Sequence, residues 1–292
     1  MSATPSLTSP VLRLTPFARL VARGRNRDWS RLARVGRRSL RTPLLILHIL
    51  AGVLMAAALG PGQRRYVSTR PLVWWSRGLC RILGIGLRVQ GAPQVGATLF
   101  VANHISWLDI FCIAAVCPTH FLAKQDVAHW PLFGWLCRRA GTAFIRRGGD
   151  HGASEAMEQL VWRLRQGERV LVFPEGTSTT GESVRRFFPR LFQAAILARC
   201  PVQAIALRYP YPDGIHPVAP FVGDDALLPH LWRLLGEPGV VAELHFAVTH
   251  AAPHPSRDAL ARLTHAEISE WLLRCQDDKP ILKQNCHQSR KL

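Results

Sequence analysis

The chain has 292 residues, 48% of them hydrophobic, and 37 lysines and arginines against 19 aspartates and glutamates give a formal net charge of +18. This apolar content excludes a disordered chain and is enough for one substantial core plus a membrane-binding extension. Seven cysteines without a Cys-x-x-Cys pair exclude a disulfide framework and point to reduced, mostly buried thiols.

In chain order, residues 1–42 carry ten arginines and a single acid, Asp28, among Ser, Thr and Pro, and read as a flexible basic tail. Such charge calls for an anionic partner. Nucleic acid is one candidate, but no reading helix or aromatic-basic repeat accompanies the arginines. An anionic membrane surface fits better, because an apolar run follows at once. No formal charge occurs over 42–63, and 44–59 is almost wholly apolar apart from His48, close to the roughly 20 residues that span a bilayer. A basic leader of this length, with Arg64-Arg65 after the apolar run, does not fit a cleaved signal peptide. Within 71–87, Arg77 and Arg81 share one helical face while Trp74, Trp75, Leu79, Ile82 and Leu83 supply apolar surface. Residues 43–90 are therefore expected to form a membrane-embedded or interfacial helical pair that dips into the cytoplasmic leaflet and returns. Arginine favours the cytoplasmic side, so the tail is expected there.

Beyond this pair, strand-like runs fall at 98–102, 119–122, 169–173, 202–207 and 240–248, with helical patterns at 107–116, 127–139, 153–165 and 183–197. The alternation predicts one α/β domain over 91–276, with a mixed β-sheet flanked by helices. A late amphipathic helix at 256–275 closes the core, and 277–292 reads as a flexible C-terminus.

The chemistry gathers at 100–109, Phe-Val-Ala-Asn-His-Ile-Ser-Trp-Leu-Asp, where an apolar run gives way to a helical pattern. A histidine held by a carboxylate is a general base near neutral pH, because the acid sets the tautomer and stabilises the imidazolium. On a regular helix five residues turn through about 500°, leaving His104 and Asp109 about 140° apart. They meet only if His104 precedes the helix and Asp109 lies in its first turns. Ser106 and Asp109 give the Ser-x-x-Asp pattern of a helix N-terminus, which fits that layout. A capping aspartate beside an ordinary half-buried histidine would show the same spacing, so the pair alone leaves both readings open.

Three later blocks narrow the choice: Gly-Thr-Ala-Phe-Ile-Arg-Arg at 141–147, Val-Leu-Val-Phe-Pro-Glu-Gly-Thr at 170–177, and Cys-Pro-Val-Gln-Ala-Ile-Ala-Leu-Arg-Tyr-Pro at 200–210. With 103–109, they resemble the four blocks of the glycerolipid acyltransferases, the family of bacterial 1-acylglycerol-3-phosphate acyltransferases, over roughly 99–210. The resemblance implies that His104 deprotonates an acceptor hydroxyl and Asp109 orients it. It also implies that Arg147, with Arg146, contacts the acceptor head group, and that Glu175, Gly176 and Thr177 shape the acceptor site. The acyl donor would be an acyl carrier protein or coenzyme A thioester, used as substrate, with no cofactor.

Two departures bear on the acceptor. Arg146 stands where the family's second block has a small acidic or amide residue, and the third block reads Gly-Thr-Ser at 176–178 where the family often has Gly-Thr-Arg. The missing arginine removes a bidentate phosphate partner. Arg146 or the pair Arg185 and Arg186 would replace it, or the acceptor carries no phosphomonoester, as in the branch that resembles lyso-ornithine-lipid acyltransferases. The first expectation is 1-acyl-sn-glycerol-3-phosphate, giving phosphatidic acid, and the alternative is lyso-ornithine lipid.

No Walker loop, Gly-x-Gly-x-x-Gly or His-Glu-x-x-His occurs, so neither nucleotide cofactor nor metal is expected. The absence of a Gly-x-Ser-x-Gly elbow favours direct transfer over an acyl-enzyme. Oxyanion donors are expected among backbone amides after Glu175 or near Ser106. Two rivals from other classes are a lipid esterase, which releases fatty acid without an acceptor, and a nucleic-acid-binding protein, which the apolar segment argues against.

Overall fold

The computed structural model describes residues 16–58, 69–124, 133–139, 142–145, 150–212 and 214–277. In chain order the elements are α1 (Pro16–Ala58), α2 (Thr69–Leu83), β1 (Ile85–Gln90), β2 (Thr98–Ala102), α3 (Leu108–Ala114), β3 (His120–Lys124), α4 (Phe133–Arg139), β4 (Ala143–Ile145) and α5 (Asp150–Arg165). There follow β5 (Arg169–Val172), a 3-10 turn at Pro189–Phe192, α6 (Gln193–Ala198), β6 (Val202–Arg208), β7 (Pro210–Tyr211), β8 (Gly214–Ile215), α7 (Leu227–Gly236), β9 (Val240–His250) and α8 (Arg257–Asp277).

Seven strands form one mixed sheet in the order β1-β9-β6-β2-β5-β3-β4. The run from β6 through β2, β5 and β3 to β4 is parallel. β9 opposes β6, and β1 lies parallel to β9. β2 is central and buried on both faces, which is why it reads as an unbroken apolar run rather than an alternation. Phe100 and Ala102 pack with Leu79, Leu83, Ile113, Leu207 and Leu234 on one side. Leu99 and Val101 pack with Leu160, Leu164, Leu260 and Ile268 on the other. Helices therefore cover both faces, as the alternation of elements predicts.

Several boundaries differ from the sequence expectation. α1 is one helix through the 42/43 boundary, with Pro43 inside it. Three of its arginines are docked rather than loose: Arg37 Nε donates to Gly236 O at 2.8 Å, Arg38 Nε to Trp232 O at 3.0 Å, and Arg41 Nη1 to Glu237 O at 2.6 Å. These guanidiniums satisfy carbonyls at the C-terminus of α7, the end of a helix that favours cations. Of the expected flexible segments, residues 1–15 and 278–292 lie outside the described residues.

α1 and α2 do form a pair. His48 Nε2 donates to Trp75 O at 2.8 Å and Trp75 Nε1 to His48 O at 3.1 Å. Gly52 permits the approach, since a Cβ there would fall 2.4 Å from Trp75 Nε1. The pair ends earlier than expected, because 85–90 is the edge strand β1, so the sheet begins at Ile85 rather than after residue 90.

Residues 183–188 are not helical. Phe188 is extended (φ −77°, ψ 114°) because Pro189 follows it and disfavours the helical region. α7 was not anticipated, since Pro229 breaks its pattern. Yet this proline sits in the first turn, where a missing amide leaves no hydrogen bond unmade.

Candidate active site

The parallel neighbours β5, β2 and β6 bring three sequence-distant segments to one edge. Val101 pairs with Val172 and Ala102 with Ile205, so the chain leaves all three strands side by side. Asn103 prolongs the β2–β6 ladder with its side chain: Nδ2 donates to Leu207 O at 2.9 Å, and Leu207 N donates to Asn103 Oδ1 at 2.8 Å. The main chain turns away there. The His104 amide donates to Glu175 Oε1 at 2.7 Å, and the His104 carbonyl accepts from Thr179 N at 2.8 Å. Both sides of the histidine backbone are thereby held by the turn that follows β5.

His104 Nδ1 lies 2.8 Å from Asp109 Oδ2. The bond assigns Nδ1–H as donor and leaves Nε2 as the proton-accepting nitrogen. The imidazole side chain is 20% exposed while that of Asp109 is fully buried. The ring stacks on Phe173 with centroids 4.0 Å apart and planes 20° from parallel. Asp109 Oδ2 also accepts from Ile105 N at 2.7 Å and Ser106 N at 2.9 Å, and Oδ1 accepts from the Tyr209 hydroxyl at 2.7 Å. Burial and the Asp109 charge push the Tyr209 phenol well above its ordinary pKa, so it remains an O–H donor.

The geometry corrects two details. Ser106 does not cap α3, because its buried Oγ has no hydrogen-bond partner. The aspartate caps instead, on the amides just before the helix. Those amides are therefore occupied, and the helix start offers no oxyanion donor at Ile105 or Ser106.

Glu175 is only 3% exposed, and both its oxygens are engaged, Oε1 by His104 N and Oε2 by Arg185 N at 2.8 Å. Burial pushes its pKa up, with the two amides opposing. Glu175 thus clamps the histidine turn to the 183–188 segment, where the sequence suggested an acceptor-facing group. Gly176 follows with φ +71°, and a Cβ there would lie 3.2 Å from the Phe188 ring. Thr177 is half-buried in the same turn. Arg185 serves here through its main chain, and its side chain and that of Arg186 are exposed. Arg146 and Arg147 lie outside the described residues.

A further segment closes around the turn. Phe221 N donates to Ile105 O at 3.0 Å, and Phe221 O accepts from Ser178 Oγ. Buried His230 steadies this segment, accepting from Trp107 Nε1 at 3.1 Å on Nδ1 and donating from Nε2 to Pro220 O at 3.0 Å. Phe173, Tyr209 and His230 were not singled out in the sequence. The first two lie inside quoted blocks, where a hydroxyl at the end of an apolar run was the available signal for Tyr209. Nothing around His230 marked it.

An α/β domain that presents a buried acid and a partly exposed histidine at the ends of parallel strands has the geometry that general-base chemistry requires. The model of the Acyltransferase family matches residues 87–208, which carry these elements. A lyso-ornithine lipid O-acyltransferase of Pseudomonas aeruginosa is 44% identical over 208 residues, spanning 65% of this chain and 80% of that protein. A 1-acyl-sn-glycerol-3-phosphate acyltransferase of Neisseria meningitidis is 36% identical over 194 residues, 65% of this chain and 76% of that one. The crystal structure of the 1-acyl-sn-glycerophosphate acyltransferase of Thermotoga maritima superposes with a TM-score of 0.63 at 18% identity, covering 85% of this chain and 98% of that one. The chain belongs to this acyltransferase family.

Proposed function

We propose that this protein moves a fatty acyl group from a thioester donor to the free hydroxyl of a lysolipid at a membrane surface, with His104 as general base and Asp109 as its orienter. The observation that carries the reading is the 2.8 Å contact between His104 Nδ1 and the buried Asp109 carboxylate. It leaves Nε2 of a ring that is 20% exposed to receive a proton.

In the proposed step Nε2 takes the proton of the lysolipid hydroxyl while its oxygen attacks the thioester carbonyl carbon. A C–O bond forms, the tetrahedral oxyanion collapses, and the C–S bond breaks. The imidazolium returns its proton to the departing thiolate, so an ester and a free thiol are the products. The amides of Thr177 and Ser178 are the candidates for the oxyanion, since Gly176 N already donates to Phe173 O. The donor is an acyl carrier protein or coenzyme A thioester.

Membrane association is supported by α1. Its Ser30–Ala58 part is long and apolar enough to cross a membrane (mean hydropathy 1.8), and only 17% of its most apolar stretch is buried, unlike a helix of a soluble core. We place the catalytic domain on the cytoplasmic face of the inner membrane, beside a helical pair that re-enters the leaflet. A reporter fusion locating the N-terminus and the C-terminus in different compartments overturns this topology.

The first acceptor reading is 1-acyl-sn-glycerol-3-phosphate, as in the name of the Neisseria relative. The second, lyso-ornithine lipid, draws support from the name of the Pseudomonas relative and from residue 178. Where the family's arginine would stand, Ser178 turns its hydroxyl to Phe221 O and supplies no cation. Purified protein given labelled acyl donor and each lysolipid decides between them, and no transfer to lysophosphatidate removes the first reading. His104→Ala is expected to abolish transfer with membrane binding intact. Retained transfer in that variant removes His104 from the mechanism.

A further inference from the structure

Tyr209 sits where β6 leaves the sheet, its ring 1% exposed and its carbonyl held by His216 N at 2.9 Å. Its hydroxyl donates to Asp109 Oδ1 at 2.7 Å, across 100 residues of sequence. The other carboxylate oxygen, Oδ2, receives His104 Nδ1 and the amides of Ile105 and Ser106. A carboxylate anchored through one oxygen alone retains a broad torsion about its last bond. Tilting that plane moves the acceptor away from Nδ1, and with it the direction of Nε2. The phenol is the donor seen on Oδ1 among the described residues, so it removes this freedom.

We infer that Tyr209 is a positioning residue for acyl transfer, fixing the plane of the Asp109 carboxylate and through it the His104 imidazole. The inference rests on the reading of His104 as the base. A structural hydroxyl would need only a partner, and a main-chain carbonyl would serve. Here a fully buried phenol is spent on the acid that holds the histidine. The titratable groups facing it are Asp109 and Cys112 from α3, His104 from the turn after β2, and Glu175 beyond His104. Cys112 Sγ lies 3.9 Å from the phenol oxygen. The adjacent Cys80 thiol and burial push Cys112 well up, as burial does Tyr209, so both stay neutral near neutral pH. Neither therefore contributes to the acidic limb of the pH–rate profile.

Tyr209→Phe in the full-length, membrane-bound enzyme removes one oxygen and keeps the ring. The expected result is a loss of about tenfold in kcat, the misorientation of the imidazole outweighing the tighter hold on its charged form. KM for donor and lysolipid should stay unchanged. The midpoint of the acidic limb should move to higher pH, because a carboxylate relieved of one donor holds the imidazolium more tightly. A fluorinated tyrosine of lower phenol pKa strengthens the donor and should move the midpoint the other way. With 3 tyrosines in the chain, Tyr66→Phe and Tyr211→Phe leave position 209 as the sole site for incorporation. Native kcat with an unmoved midpoint overturns the inference, as does a loss confined to KM or a lowered Tm without a shift in the profile. If Tyr209→Phe fails to fold, the fluorotyrosine enzyme decides, and an unmoved midpoint there overturns it. His104→Ala separates the two levels. An inactive His104→Ala beside a native-like Tyr209→Phe sinks this inference alone, whereas an active His104→Ala sinks the base reading with it.

Discussion

Asp109→Asn isolates the charge of the site while keeping its shape. The asparagine oxygen can still accept from the amides of Ile105 and Ser106, which Asp109 Oδ2 now bonds at 2.7 and 2.9 Å. What disappears is the anion beside the imidazole. With charge centres about 4 Å apart and an effective dielectric of about 20, that attraction is worth about 4 kcal/mol. The imidazolium exists only after proton transfer, so nearly all of it bears on the transition state. At about 1.4 kcal/mol per tenfold, kcat should fall about a thousandfold. Stability moves less. Bonds to a neutral oxygen are weaker by about 1 kcal/mol each, but the fold no longer has to desolvate a fully buried carboxylate. These terms oppose, and Tm should shift by only about 5 °C or less. Thiol release from the acyl donor in the presence of lysolipid gives the rate, and circular dichroism of the detergent-solubilised enzyme gives the Tm. An Asp109→Asn enzyme within about tenfold of the native rate refutes the argument that this carboxylate stabilises a developing imidazolium.

Phe173→Ala removes the ring stacked 4.0 Å from His104. A stacked pair contributes about 0.5–1.5 kcal/mol, so kcat should fall up to about tenfold, and an unchanged rate shows that Asp109 alone orients the imidazole. Gly181→Ala puts a Cβ 2.7 Å from Ile105 Cδ1 at φ +85°. The left-handed conformation alone costs about 1–2 kcal/mol, or about 2–8 °C in Tm, and a native Tm means the turn relaxes freely. Burial holds His216, His230 and His245 below the usual histidine pKa. The unfolded chain therefore takes up protons below about pH 6.5 that the folded chain refuses. Stability should be fully present above that pH and decline as pH falls from about 6.5 towards the lowered folded values. A His230→Gln enzyme should decline less steeply, and a Tm that rises on acidification from about pH 7 to about pH 5.5 contradicts this.

The legible parts of this protein were those whose signal is local. The His104–Asp109 geometry follows from their spacing and the helix repeat, and the buried strands β2, β5 and β6 follow from short apolar runs. Misread parts had signals that compete with a tertiary constraint. The sequence 183–188 carries a helical pattern, yet Pro189 holds Phe188 extended and the Glu175 carboxylate takes the Arg185 amide. The arginines near residue 40 looked like a free tail, because the α7 carbonyls that bind them lie about 195 residues away in sequence, as with Arg41 and Glu237.

The residue order alone carried the expected reaction class, the His104–Asp109 spacing, the apolar N-terminal run and the alternation of strands and helices. The spacing and the apolar run depend on residues close to one another, and the reaction class on four blocks spread over roughly 99–210. Only the tertiary structure decided what surrounds the imidazole. Phe173 meets the ring, Glu175 the His104 amide and Tyr209 the Asp109 carboxylate because β5 and β6 flank β2, and strand order arises from packing both faces of a sheet under helices. No local pattern encodes which strands become neighbours.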